Sequence, residues 1–99
     1  MEFISLSRSP RKEKRYKFEY INQGKKINIH FGSQGSSTYI DHRDKTKRKN
    51  YIARHRVREN WDEINAGSLS RWLLWGEHTS LKKNLEDYLD RFNFKLNAV

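Results

Sequence analysis

The chain has 99 residues, with 21 Lys and Arg against 12 Asp and Glu, a formal charge of +9 and a pI near 10.0; only 34% of it is hydrophobic, yet 13% is aromatic. That length holds one small domain and excludes a multidomain enzyme, and the lack of cysteine excludes disulfides, thiolate metal sites and Cys nucleophiles. The low apolar fraction taken alone points to disorder, but three Trp, five Tyr and five Phe point to a compact core. The longest uninterrupted apolar run, Trp72-Leu73-Leu74-Trp75, falls far short of the roughly 20 residues that a membrane span needs. Met1 to Leu6 has neither the basic start nor the long apolar stretch of a secretory leader. The expectation is a soluble protein of a reducing compartment, not secreted and without a membrane span.

Charge divides the chain in two. Residues 1–58 hold 16 Lys and Arg against 5 Asp and Glu, a net of +11, whereas residues 59–99 hold 5 against 7, a net of −2. The first half therefore suits a polyanion or an acidic protein face, and the second, which carries all the Trp, suits the core. Met1 to Arg15, with Pro10 and the basic run Arg11-Lys12-Glu13-Lys14-Arg15, is expected to be a flexible basic arm; Phe3 and Ile4 within it are candidate docking residues. Tyr16, Phe18 and Tyr20 fall on one face of a strand, and Ile27, Ile29 and Phe31 repeat the alternation after Asn22-Gln23-Gly24-Lys25. This predicts a β-hairpin over residues 16–31, with the glycine in the turn. Its aromatic face is expected to pack on a helix rather than to stack on bases. A loop follows over Gly32 to Ser37, with Thr38-Tyr39-Ile40 as a short third strand.

From Asp44 to about Asn60 the sequence suits a helix, capped by Asp41 or Asp44, with a thin apolar face of Tyr51, Ile52 and His55. Ser68 is the expected cap of a short helix that runs through Trp75 and is stopped by Gly76. Thr79 or Ser80 caps a third helix, in which Leu81, Leu85, Tyr88, Leu89 and Phe92 form an amphipathic stripe. Phe94 and Leu96 alternate as a short closing strand or ordered tail. The expected architecture is α+β: a small antiparallel sheet covered by two or three helices, forming a single compact domain over residues 16–99.

Functionally, the basic helix stands out. Arg43, Lys45, Lys47, Arg48, Lys49, Arg54, Arg56 and Arg58 are eight cations in 16 residues, opposed within that window by Asp44 alone. So much charge of one sign repels itself unless it meets anions, either phosphates or acidic protein neighbours. No helix-turn-helix spacing, zinc finger or aromatic RNA-recognition motif supports sequence-specific readout. Trp75, beside Gly76, is a candidate anchor in a partner's pocket, since a small domain does not easily bury three Trp. Catalysis, metal and cofactors find no support. HExxH, GxSxG and GxxxxGK[ST] are absent, and an Arg sits inside the nearest ligand-like string, Asp41-His42-Arg43-Asp44.

An ordered series of strings resembles a family of short basic proteins encoded by nucleocytoplasmic large DNA viruses. It comprises Phe31-Gly32-Ser33-Gln34-Gly35, Thr38 to Asp44, Lys47-Arg48-Lys49, Tyr51 to His55, Glu59-Asn60-Trp61, Ala66-Gly67, Ser70 to Trp75 and Thr79-Ser80-Leu81. The resemblance runs from about Tyr16 to Phe92. It implies no catalytic residues, a non-enzymatic role, and a setting in the virion or the infected cell, in a cytoplasmic factory or the nucleus. Two functions are then expected, the first ahead of the second because a docking arm and aromatic anchors suit an assembly partner and have no use in nonspecific phosphate binding. One is a minor virion or assembly component that binds acidic viral protein surfaces through its basic face and aromatic anchors. The other is a DNA- or RNA-binding protein without sequence specificity, working with the viral genome or its replication and transcription machinery.

Overall fold

The structure is a computed structural model and describes residues 1–96. The hairpin forms as the alternation requires. Strands β2 (Lys14–Asn22) and β3 (Lys25–Ser33) pair antiparallel, setting Phe31, Ile29 and Ile27 opposite Tyr16, Phe18 and Tyr20. Gln23 and Gly24 take positive φ, 51° and 77°, in a two-residue turn whose twist matches that of the strands.

The first fifteen residues are not a flexible arm. Glu2–Arg8 is a strand, β1, antiparallel to β2. The register shifts between Phe3 and Ser5, leaving Ile4 as the extra residue of a bulge. That bulge sets both Phe3 and Leu6, three residues apart, opposite Tyr20 and Phe18. Phe3 packs on Phe18 with ring centroids 5.5 Å apart, and Ile4 is half-buried. Both expected docking residues therefore belong to the sheet. The basic run Arg11–Arg15 turns the chain back into β2, with the Ser9 amide donating to the Arg15 carbonyl at 3.0 Å.

A two-residue strand, β4 (Lys95–Leu96), adds parallel to β1, so the sheet is mixed, in the order β3-β2-β1-β4. The expected strand at 38–40 is instead the start of a helical turn, α1 (Tyr39–His42). A local capping interaction overrides the strand propensity of Thr-Tyr-Ile: the Asp41 carboxylate accepts from both the amide and the hydroxyl of Thr38, at 2.8 and 2.9 Å. Asp44 caps α2 (Lys45–His55) by accepting from the Thr46 and Lys47 amides. This helix ends at His55, five residues before the expected Asn60.

Asn65, not Ser68, caps the next helix, α3 (Ala66–Leu69), in a reciprocal exchange with Ser68. The chain then widens into a π-helical segment, Ser70–Leu74, before α4 (Leu81–Arg91), capped by Ser80. The helices pack on the sheet face that carries Phe18, the hub of an aromatic cluster. Its ring meets Tyr20, Tyr88 and Phe94 at centroid distances of 5.6, 5.6 and 5.5 Å. Leu69, Leu73 and Leu74 close the buried set, while Leu81, Leu85 and Phe92 flank it. Asn84 lies inside the α4 stripe and is fully buried. Its side-chain amide donates to the Leu73 and His78 carbonyls and its oxygen accepts from the His78 amide.

Asp41 also ties α1 to the sheet, because Arg15 grips it with two hydrogen bonds of 2.8 and 3.0 Å. The Arg15 guanidinium, helped by the Thr38 donors, holds the Asp41 carboxyl at about 2, below its ordinary 3.8. A carboxyl depressed in the folded state stabilises the fold above the unfolded value, and that contribution disappears as pH falls toward the folded value. The midpoint of thermal unfolding is therefore expected to drop between pH 4 and pH 2 partly through Asp41. Asp41→Asn should lower the midpoint at neutral pH and flatten the acid limb; an unchanged limb would show that the pair does not couple to folding.

Candidate anion-binding face

Helical spacing sorts the cations of α2 into flanks on either side of its packed face, formed by Arg48, Tyr51, Ile52 and His55. Lys45 and Lys49, four apart, share one flank, which Arg56 extends at the C-cap. Lys47 and Arg54, seven apart, share the other. Arg43 precedes the helix with φ at 59°, and Arg58 lies in the turn after it, outside the helix where the sequence reading placed it. Lys45, Lys47, Lys49, Arg43, Arg54, Arg56 and Arg58 are all exposed. Among the described residues none of these seven forms an ion pair.

Arg48 is the exception. The sequence groups it with the anion-facing cations, but its Nε donates to the Trp75 and Gly76 carbonyls at 3.2 and 2.9 Å, and its Nη2 reaches Glu77 at 3.1 Å. Arg71 Nη1 adds a second donor to the Trp75 carbonyl at 2.9 Å. Two guanidinium groups thus satisfy carbonyls at the C-terminal end of the π-helical segment, where cations also complement the helix dipole. Arg71 is buried between neighbours, its guanidinium 4.1 Å from the Trp72 ring centroid. That burial, and the nearby Arg48 charge, lower its affinity for a proton.

Trp75, the candidate anchor, finds its partner inside the molecule. Its ring lies flat on Tyr51, 4.3 Å between centroids and 4° between planes. Tyr51 stacks in turn on His55 at 4.2 Å, and His42 stands edge-on to the other ring of the column, Trp75, at 5.3 Å. His55 Nδ1 lies 2.8 Å from Glu59, whose second oxygen accepts from Trp61 Nε1 at 2.8 Å. This column locks α2 to the π-helical segment; a partner's pocket would have to dismantle it.

Two depressions open beside it. One, about 480 Å³, lies between the loop Gly32–Thr38, α2 and the Ala66–Trp75 helical stretch, with Lys14 and Arg54 among its lining residues. The second, about 520 Å³, runs along the Lys47–Arg54 flank of α2 against His42 and Trp75. Among the described residues no three His, Asp or Glu side chains come together to hold a metal ion, and no helix is long and apolar enough to cross a membrane.

The fold and this face define a small α+β protein with a cationic surface built on one helix. A family model described as "Family of unknown function (DUF5754)" matches residues 4–55, just over half of the chain, and the chain belongs to that family. The match starts within β1 and ends with α2, so it takes in residues 4–15 of the segment expected to be an arm and most of the basic face. No curated protein and no solved structure matches the chain.

Proposed function

We propose that this protein binds nucleic acid without sequence specificity, through phosphate contacts made by α2 and its flanks. The observation that carries this reading is the set of seven exposed cations, on α2 and in the turns that flank it, without an ion-pair partner among the described residues. What favoured an acidic protein partner in the sequence was a docking arm and an aromatic anchor. Phe3 and Ile4 now belong to the sheet and Trp75 to the stacked column, so unpaired charge is what remains to recognise a partner. Phosphate backbones reward that arrangement directly, since each neutralised phosphate releases condensed counterions. The resemblance to short basic proteins of large DNA viruses supplies a setting: a non-enzymatic component on the viral genome or its replication and transcription machinery.

The test is a competition. Short duplexes of equal length and unrelated sequence should bind with affinities within about threefold of one another. Polyglutamate of matched charge should compete poorly, because it lacks the phosphate spacing along a duplex. If polyglutamate instead displaces DNA at equal charge concentration, an acidic protein surface becomes the better partner and the nucleic-acid reading falls.

A further inference from the structure

The stacked column ends in an open ring. Tyr51 is covered on one face by Trp75 and on the other by His55, whose own far face carries no other ring among the described residues. The His55 side chain is 39% exposed, and it lines the depression of about 480 Å³ together with Tyr51 and Trp75. Its orientation is fixed from the ring edge. Nδ1 lies 2.8 Å from one Glu59 oxygen, and the other oxygen is held by Trp61 Nε1 at 2.8 Å. A Cβ at Gly67 would come within 3.1 Å of that second oxygen, so the glycine leaves the carboxylate its place. A ring held by its edge and stacked on one face offers the other face without further ordering cost.

The cavity that His55 lines is mixed in a way that suits a flat ring carrying phosphate. Phe31 and Leu74, both buried, give it apolar wall. Lys14 and Arg54, neither of them in an ion pair among the described residues, line it as well. Glu59 is the one carboxylate among the described lining residues, and both its oxygens are committed to His55 and Trp61. The volume falls within the range of about 300–1,000 Å³ usual for small-molecule sites. A bare phosphate has no use for the aromatic face, and a base inside a duplex cannot reach it, because both faces of that base are already stacked.

We infer that an unpaired nucleobase seats in this cavity as the fourth member of the column, stacked on the open face of His55, with Lys14 and Arg54 serving its phosphates. The site rests on the nucleic-acid reading and deepens it. Phosphate contacts along α2 hold any strand, while the cavity adds a preference for overhangs and single strands over blunt duplex. Stacking is tolerant of base identity, since every base has a π-face, so the site adds no sequence specificity. A free nucleotide has the same chemistry, and the arms of the test separate the two sources.

One duplex is prepared in three forms: blunt, with a short single-stranded overhang, and with the same overhang built of abasic sugars, which keeps every phosphate and removes the bases. Affinities are read by fluorescence anisotropy for the parent protein, His55→Ala and His55→Phe. The phenylalanine keeps an aromatic face and loses the ring nitrogens, and melting curves confirm that both variants fold. A second measurement needs no variant. The His55 ring protons of the parent are followed by NMR as adenosine monophosphate is added, with ribose 5-phosphate as the control.

The site predicts that the parent binds the overhang about tenfold more tightly than its abasic counterpart, that His55→Ala removes this preference and that His55→Phe keeps it. It also predicts upfield ring-current shifts of the His55 ring protons with adenosine monophosphate and none with ribose 5-phosphate. Equal affinity for the two overhangs and no such shifts, with blunt duplex bound, would overturn the site and leave the nucleic-acid reading standing. The shifts without the overhang preference would overturn a strand as the source of the base and make a free nucleotide the occupant. Absence of binding to every duplex would overturn the nucleic-acid reading separately. A preference that survives in His55→Ala, or that His55→Phe loses while melting like the parent, would overturn the site, since the base would then not stack on His55.

Discussion

Deleting residues 1–8 is expected to abolish cooperative folding, the largest effect of any change considered. β1 is an interior strand of the sheet, paired with β2 on one side and β4 on the other. Its removal takes away a ladder of backbone hydrogen bonds, each worth about 1 kcal/mol net. It also strips Phe3 and Leu6 from Phe18 and Tyr20, where each half-buried side chain contributes about another 1 kcal/mol. A domain of this length has only about 5–15 kcal/mol of stability in total. β4 then has no strand to pair with, and Phe94, which it positions over Phe18, loses its anchor. The shortened chain should lose near-ultraviolet circular dichroism and show no sharp melting transition. A truncated protein that melts like the parent would mean that the segment is an arm after all.

Gly76→Ala should cost about 3 kcal/mol or more, near or beyond the upper range for overpacking a core. A Cβ at this position would lie 2.1 Å from the Trp72 carbonyl oxygen and 2.8 Å from Asn84. Neither neighbour can yield cheaply. The Trp72 oxygen is backbone, and Asn84 is held by three hydrogen bonds to Leu73 and His78. Relief would therefore require the π-helical segment to move, and with it the Trp75 ring on Tyr51 and the carbonyls that Arg48 and Arg71 hold. Denaturant midpoints compare the variant with the parent; a shift of less than about 1 kcal/mol would show that the segment is soft.

The parts of the fold that the sequence disclosed are those with an unbroken period. Tyr16-Phe18-Tyr20 and Ile27-Ile29-Phe31 alternate cleanly, and Leu81, Leu85, Tyr88, Leu89 and Phe92 keep helical spacing, so the hairpin and α4 were visible. β1 was hidden because its bulge at Ile4 places Phe3 and Leu6 on one face at a spacing of three, which neither period matches. Residues 38–40 misled because a β-branched and aromatic tripeptide reads as strand, while the deciding contact is a carboxylate three residues from Thr38. The π-helical segment buries Leu73 and Leu74 side by side, a pattern that an α-helical projection splits between faces.

At the candidate site, composition revealed the cations but not their environments. Arg48 differs from its neighbours only through carbonyls 27 and 28 residues away, which no local pattern contains. The Trp75 stack on Tyr51 is equally non-local, and a tryptophan beside a glycine looks the same whether it anchors a partner or its own helix. His42 was read only for metal-ligand spacing, whereas in the fold its Nδ1 accepts from the Asp44 amide at 2.9 Å and its ring stands against Trp75, contacts that residue types do not encode.

The central claim, that unpaired cations on α2 and its flanks neutralise phosphates, is tested most directly by the salt dependence of duplex binding. The observed association constant should be measured between about 50 and 200 mM monovalent salt on two unrelated duplexes of equal length. Three to four phosphate contacts, about half of the seven unpaired cations, predict a slope of log K against log salt of about −3 to −4, the same for both sequences. Replacing Lys47, Lys49 and Arg54 by Gln should flatten that slope by about 2–3 without moving the melting temperature. A slope near zero, or one that differs between the two sequences and ignores the three substitutions, would contradict the account.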